Sequence, residues 1–378
     1  MMRVLFIAGY DHPAYHRKVE LLADAPDLEI LHVTVAGYGK LPGEYASANG
    51  ERSYRVQAFP AHWLGRRGDP HRGYLWPPHY DMHRFKPDVV HLESDVETLG
   101  TAEIVAARGL LAPHSKLVAY SWQNILRPRS LPVRLVSGFV LRAADHVVCA
   151  SCEAADVLRR EGFRRGTSIM PLVGLDCRRF YPRGAPAIRA QLGLTGFVVG
   201  YVGRLAPEKG LDILLSAAER MSAPVELLIV GSGSEGPALR AQAKALGVDR
   251  RCQFVEAVEY DRVPEYLNAV DVLVLPSCTT VHWKEQFGRV LVEAMGCKVP
   301  VVGSDSGAIP EVIGGTGRIF PEGDASALAA VLDELASAVE LRRQLGERGY
   351  ARVMANYTVE QLALLTADLW REVATERR

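Results

Sequence analysis

Asp271-Val-Leu-Val-Leu-Pro276, followed after a short gap by Glu285-Gln-Phe-Gly-Arg-Val-Leu-Val-Glu293, is the stretch on which the fold class turns. The first run is apolar and β-branched, as a buried parallel strand requires. From Gly288 to Cys297 the apolar residues Val290, Leu291 and Ala294 fall at helical spacing. A loop between such a strand and helix faces the ligand side of a parallel sheet. Glu285 is expected in that loop, and Glu293 about a turn inside the helix. The backbone N–H groups near Phe287, Gly288, Arg289 and Val290 then mark a helix start, where free donors and the macrodipole attract an anion. A phosphate fits there, with each carboxylate accepting hydrogen bonds from flanking hydroxyls, a sugar on one side and a ribose on the other. The plainer reading is a solvated helix-start acid plus a surface acid, and spacing alone leaves both open.

Outward from this stretch the same alternation recurs. Strands are expected at Phe197–Val202, Glu226–Val230, Gln253–Val255, Val272–Leu275 and Val299–Gly303, with helices at Leu211–Met221 and Pro237–Leu246. Earlier in the chain, apolar runs at Val4–Ala8, Ile30–Val35, Val89–Leu92, Leu117–Tyr120 and His146–Ala150 give a second alternating series. Between the two series, Pro171–Asp176 and Arg179–Pro182 break the pattern with Gly, Pro and charge. A length of 378 residues suits two domains. The expected organisation is 1–176, 177–358 and a last helix over 359–378 that crosses back to the first domain.

Two Gly-rich turns bear on phosphate binding. Gly203-Arg204-Leu-Ala-Pro-Glu-Lys209-Gly210 follows a strand and precedes a helix. Its glycine permits close approach, Arg204 offers a planar fork of donors, and Lys209 adds a point charge. An exposed turn that happens to carry two cations is the plainer reading. Gly231-Ser-Gly-Ser-Glu-Gly236 matches G-x-G-x-x-G in a strand-to-helix context, and Glu256 ends the next strand where a ribose-binding acid would stand. That pair of features is the case for an NAD-dependent enzyme. Against it, the motif lies in the second βα unit and leaves Arg204, Lys209 and Glu285–Glu293 without a task. No Asp-x-Asp occurs, so cations and helix N–H groups must hold any diphosphate without a metal.

Bulk composition excludes more than it selects. Lys plus Arg equals Asp plus Glu at 44 each, so no global field points to nucleic acid. Met1–Ala8 is too short for a signal-peptide core and reads as a first strand. No stretch has the length of a membrane span. The six cysteines are mostly isolated in apolar surroundings, which suits reduced thiols and a cytoplasmic setting. Cys149 and Cys152 form one C-x-x-C without further ligands, at the end of a strand where a redox pair would not be expected. Phe59–Phe85 is rich in aromatics, His, Arg and Pro, and reads as an acceptor-binding loop or an irregular connection. Arg127, Arg129, Arg134, Arg142, Arg159, Arg160, Arg164 and Arg165 make 127–165 locally basic. Such a run is a solvated helix face or a peripheral contact with anionic lipid at the inner membrane face.

Taken together, these motifs resemble the retaining GT-B glycosyltransferases, in the large family that includes sucrose synthase and bacterial mannosyl- and glucosyltransferases. The match is strongest from Val198 to Ile313, where Gly203-Arg204 with Lys209-Gly210, Glu285-x7-Glu293, and Pro300–Gly303 with Gly307 and Pro310–Ile313 stand in family order. The resemblance implies an α/β protein of two Rossmann-like, doubly wound parallel-sheet domains facing a crevice. It implies transfer of a hexose from a nucleoside diphosphate sugar, UDP-sugar before GDP-mannose, to a sugar, lipid or small-molecule acceptor. Glu285, Arg204 and Lys209 would be catalytic, and Gly203, Val258, Phe287, Gly288, Arg289, Val290 and Glu293 would bind the donor. Neither a cofactor nor a metal is implied. Departures cluster on the acceptor side: the N-terminal Gly-rich turn is reduced to Gly9 before Tyr10, and Ser121-Trp122-Gln123-Asn124 stands where a histidine is usual. Gly9, Tyr10, His12, Gln123 and Asn124 are the acceptor-side candidates. In the base-binding strand Glu256 replaces a usual Gly. The same motifs would also suit a sugar-nucleotide epimerase of this fold, which needs no acceptor, or a non-catalytic sugar-nucleotide sensor.

Overall fold

The computed structural model describes residues 1–9, 13–35, 42–59, 62–63, 74–75 and 79–376. Tyr10 and His12, and most of the aromatic-rich stretch 59–85, lie outside them.

In chain order the first part contains β1 Met2–Ala8, α1 Arg17–Ala23, β2 Leu28–Val35, β3 Gly43–Ala46, β4 Ser53–Phe59, β5 His62–Trp63, β6 Tyr74–Leu75 and α2 His79–Phe85. It continues with β7 Val89–Asp95, α3 Leu99–Leu111, β8 Lys116–Ser121, α4 Leu131–Ala143, β9 His146–Cys149, α5 Cys152–Arg160 and β10 Gly166–Ile169. The second part runs through α6 Pro186–Leu192, β11 Val198–Val202, α7 Leu211–Arg220, β12 Glu226–Val230, α8 Gly236–Ala245, β13 Cys252–Val255, α9 Val263–Leu267 and β14 Val272–Leu275. It ends with α10 Arg289–Gly296, β15 Val301–Ser304, α11 Ile309–Ile313, β16 Arg318–Phe320, α12 Ala325–Ser337, α13 Val339–Asn356 and α14 Val359–Thr375.

These elements form two compact units, 1–174 with 359–378, and 175–358. In the first, the strand order is β10-β9-β8-β7-β1-β2-β4-β3. All neighbours are parallel except β3, which pairs antiparallel with β4 at the edge. Hydrophobic patterning does not foresee β3, β4, β10 and β16, nor the two-residue β5 and β6. β3, β10 and β16 are short edge strands, and β3 and β10 are largely polar, so neither shows the apolar run by which a buried strand is read. β4 lies between β2 and β3, and its buried Tyr54 and Val56 alternate with polar residues, so it has no continuous apolar run either.

α14 belongs to this first unit. It packs against α1, and Trp370 is fully buried against Phe6 and His91. The Trp370 indole N–H donates to His91 Nδ1 at 2.9 Å. That bond needs a neutral imidazole, and burial, reinforced by the nearby Lys18 charge, holds the His91 pKa well below its usual value.

The second sheet has the order β13-β12-β11-β14-β15-β16, all parallel. From β11 the chain winds outward through β12 and β13, then returns to β14 on the other side. The switch point is therefore β11/β14, and the crevice outside those carboxyl ends is where such sheets bind ligands.

In the basic region 127–165, Arg134, Arg142, Arg159, Arg160, Arg164 and Arg165 are exposed, whereas the Arg129 side chain is largely withdrawn from solvent and ion-paired with both Glu97 and Glu161. One expectation needs correction. Cys152 does open a helix after a loop, α5, with Ser151 as its N-cap. Its partner Cys149 is buried in β9, and burial pushes that thiol up to about 12, which makes it unreactive.

Trp370→Ala leaves a large cavity and removes the indole bond to His91. It is expected to cost roughly 3–5 kcal/mol, read as a lowered unfolding midpoint of the first unit. An unchanged midpoint would show that α14 adds nothing to that unit.

Candidate functional site

A cavity of about 530 Å3 opens at the switch point of the second unit. It is lined by Tyr201, Val202 and Gly203 from β11 and its loop, Val230 and Gly231 from β12, Leu275 at the end of β14, and the start of α10.

Of the residues expected to bind a donor or act on it, Gly203, Arg204, Lys209, Val258, Glu285, Gly288, Arg289, Val290 and Glu293 all line this cavity. Phe287 does not line it; its ring, partly buried against the core of the unit, packs edge-on against Tyr357 at 5.8 Å. A contact from this residue is left to its backbone.

Glu285 is 7% exposed. Its Oε2 accepts from Lys209 Nζ at 2.7 Å and from Ser277 Oγ at 2.9 Å. Its backbone is clamped as well. The Glu285 carbonyl accepts from Ala308 N at 3.0 Å, and a Cβ on Gly307, which has φ +57°, would lie 2.0 Å from that oxygen. The small-residue turn 304–307 thus holds the acid in place. Arg204 reaches out to Glu208 at 2.7 Å and is the exposed member of the pair of cations. Its carbonyl accepts from the Tyr201 hydroxyl at 2.7 Å.

Glu293 sits one turn into α10 and is 4% exposed. Burial raises its pKa, while Arg289 and the Tyr260 hydroxyl oppose that rise. Arg289 Nε lies 3.0 Å from Glu293 Oε1, Tyr260 donates to the same oxygen at 3.2 Å, and the guanidinium lies 5.1 Å from the Tyr260 ring centre. Gly288 caps the helix at φ +76°, and the first amide to bond back is Leu291 N to Gly288 O at 2.9 Å. The amides of Arg289 and Val290 precede it, at the positive end of the helix.

The Gly231–Gly236 turn has another use. A Cβ on Gly231 would lie 1.8 Å from the Gly203 carbonyl, and one on Gly233 2.1 Å from the Leu205 carbonyl. Leu205 N donates to Ser232 O at 2.9 Å, and Glu235 N to Leu205 O at 3.1 Å. Its glycines let two loops pack backbone to backbone. The side chain of Glu256, the supposed ribose acid, is 79% exposed and nearest to Arg240 at 3.7 Å. Neither feature supports a dinucleotide at that turn.

In the first unit, Gly9 follows β1 and Asp95 ends β7, the two strands at that sheet's own switch point. Asn124 is buried and donates to Glu153 at 3.3 Å, while Gln123 is partly exposed beside it. Sequence reasoning passed over Asp95. This buried carboxylate accepts from Glu97 N at 3.0 Å and Trp122 N at 3.4 Å, pinning the loop that carries Gln123 and Asn124. It also passed over Ser277, and over Tyr260 and Trp283, whose partners Glu293 and Lys209 are distant in sequence.

Residues 186–352 match the family model described as glycosyl transferases group 1. A 2-deoxystreptamine N-acetyl-D-glucosaminyltransferase of Streptomyces fradiae is 28% identical over 300 residues, covering 73% of this chain and 70% of that one. A D-inositol 3-phosphate glycosyltransferase of Streptomyces bingchenggensis is 31% identical over 62% of this chain, which spans about half, 54%, of that relative. Among solved structures, sucrose-phosphate synthase from Thermosynechococcus elongatus aligns over 99% of both chains at TM-score 0.73 and 22% identity. HepE of Anabaena, solved with UDP and glucose, aligns over 98% of this chain and 100% of that one at TM-score 0.74 and 22% identity. At that identity the likeness speaks for the fold, which is GT-B with two parallel-sheet α/β units.

Burial, then the Glu97 charge, raises Asp95 from 3.8 to about 7. Between those values the native state holds a proton that the unfolded chain has released, so this group makes stability fall as pH rises from about 4 to 7. Asp95→Asn is expected to raise the thermal midpoint of the first unit more near pH 8 than near pH 5. An equal shift at both would contradict the buried, proton-holding carboxyl.

Proposed function

We propose that the chain is a retaining, metal-independent glycosyltransferase, a reading supported by the match of residues 186–352 to the glycosyl transferases group 1 model. It moves a hexose from a nucleoside diphosphate sugar to a sugar, lipid or small-molecule acceptor. The observation that carries the reading is the meeting of Lys209, Glu285 and Glu293 on one cavity beside the N-terminus of α10. In the proposed complex the diphosphate lies against the Arg289 and Val290 amides and between Arg204 and Lys209. The ribose hydroxyls bond to Glu293, the base lies near Val258, and the sugar hydroxyls face Glu285.

In the reaction the bond from the anomeric carbon to the phosphate oxygen breaks, and the acceptor oxygen bonds to the same face of that carbon. The acceptor proton passes to the departing phosphate oxygen. Negative charge grows on the diphosphate, where Lys209 and Arg204 stabilise it more strongly than in the ground state. Glu285 orients the sugar and supports the positive charge at its anomeric carbon. These cations and amides neutralise the leaving group without a metal.

The HepE complexes with UDP and glucose, and with UDP-glucose, support a UDP-sugar donor, and a Corynebacterium glutamicum relative, 33% identical over 198 residues and named GDP-mannose-dependent, keeps GDP-mannose as the alternative. Relatives named for 2-deoxystreptamine and for D-inositol 3-phosphate favour a small-molecule acceptor. An epimerase would release product with no acceptor present. The described cysteines are free thiols, which supports a reducing, cytoplasmic setting.

Peripheral contact with an anionic membrane is part of the reading and rests on α4. Leu131, Leu135 and Phe139 are exposed at 66%, 64% and 44%, at positions i, i+4 and i+8. Arg134 and Arg142 are exposed on the same helix, and 123–144 contains no Asp or Glu. The protein should co-sediment with phosphatidylglycerol vesicles, and Leu135→Glu should weaken that about tenfold. Sedimentation indifferent to lipid would remove the membrane from the account.

Lys209→Ala is expected to lower turnover of the preferred sugar nucleotide by on the order of a hundredfold or more, as loss of a preorganised charge contact does. Release of nucleoside diphosphate measures it. Near-normal turnover would sink the assignment.

A further inference from the structure

Lys209 has a third neighbour besides the cavity and Glu285. Its ammonium lies 4.4 Å from the centre of the Trp283 ring, close enough for attraction by the π face. Lys209 and Glu285 both line the cavity, whereas Trp283 is not among the lining residues. We infer that Trp283 is a positioning residue, which holds the Lys209 ammonium at the donor diphosphate without touching the donor itself. The inference rests on the donor site proposed above.

The loop between β14 and α10 is built to fix this ring. Trp283 N donates to Thr280 Oγ1 at 2.9 Å, and Thr280 N to the Trp283 carbonyl at 2.8 Å, closing a tight turn. Next to it, Thr279 N and Oγ1 donate to Glu322 at 2.9 and 2.8 Å, anchoring the turn to the segment after β16. The backbone of Lys209 is tied to the same loop. Cys278 N donates to the Glu208 carbonyl at 2.9 Å, and a Cβ on Gly210, at φ +64°, would lie 2.0 Å from the Pro276 carbonyl. Stem and ring are thus registered through one loop.

The chemistry of the holder matters. Glu285 also holds Lys209, but a carboxylate competes with phosphate for the same positive charge. An aromatic face restrains the ammonium and leaves its charge to the ligand. A lysine stem otherwise loses considerable rotamer freedom on binding, and a ring that has already removed that freedom strengthens each contact the ammonium makes.

A double-mutant cycle tests this on the full chain, with UDP and GDP as probes and calorimetric affinities as readout. Trp283→Ala is expected to weaken binding of the preferred diphosphate about three- to tenfold, and Trp283→Phe to restore most of it. In a Lys209→Met background Trp283→Ala should change affinity less than about twofold, and affinity for the corresponding nucleoside should not change in any background. A loss of equal size with and without Lys209, or an equal loss for the nucleoside, overturns the inference and leaves the donor site standing. If wild type binds no nucleoside diphosphate, the donor site falls and the inference with it. Trp283→Phe keeps the test valid should the alanine variant fold poorly.

Discussion

A carboxylate held almost out of water is the constraint around which the second unit is arranged. Glu285 tolerates that position because Lys209 and Ser277 bond to one of its oxygens at 2.7 and 2.9 Å. Removing a partner from such a group leaves an uncompensated buried charge, which costs more than the pair itself contributes. The requirement reaches outward. Lys209 must be delivered by the loop after β11, which Gly210 presses against the end of β14, and the Glu285 backbone must be gripped by the turn at Gly307. Parallel strands in the order β12-β11-β14-β15 bring these loops to one rim. Fold and site follow from one arrangement: loops at the carboxyl ends of adjacent strands, packed closely enough that several positions admit only glycine.

The buried frame of both units was legible in the sequence. Continuous β-branched runs such as Glu226–Val230 and Val272–Leu275 became strands with those bounds, because a strand covered on both faces must be apolar throughout. The edge strands β3, β10 and β16 were not legible, since an edge tolerates polar residues and needs no long run, and the interior β4 was missed because its Tyr54 and Val56 alternate with polar residues. The cavity lining was largely legible because it depends on residue types at the ends of strands. Side-chain pairings were not. Tyr260 and Glu293 are 33 residues apart, and Arg289, read for its backbone, turns its guanidinium onto that acid. Arg129 counted as surface charge until Glu97 and Glu161 converged on it. The Gly231–Gly236 motif misleads for a related reason: a glycine spacing records close backbone approach, and here the approaching partner is another loop of the same unit.

The first unit is organised differently. Among the described residues its switch-point rim holds buried polar groups: the ion pairs of Lys18 with Glu93 and of Arg129 with Glu97 and Glu161, and the Asp95 carboxyl capping two backbone amides. These groups stiffen the loops after β7 and β8 and present little free charge of their own. Such a rim suits a partner recognised through hydroxyls and shape, and it places the departures from family pattern, Gly9 and Ser121–Asn124, on rigid supports. In the proposed reading, acceptor specificity would then reside in side chains such as the partly exposed Gln123, carried on this frame.

The claim on which everything else rests is that the cavity at β11/β14 grips a nucleoside diphosphate sugar through Glu293. Thermal unfolding in the presence of UDP, GDP, ADP and dTDP sugars, with NADH alongside, tests it directly, since a ligand of the native state raises the midpoint by mass action. The account predicts that one sugar nucleotide stabilises the wild type and that Glu293→Ala abolishes the shift. Stabilisation by NADH alone would contradict it and return the Gly231 turn to the centre of the argument.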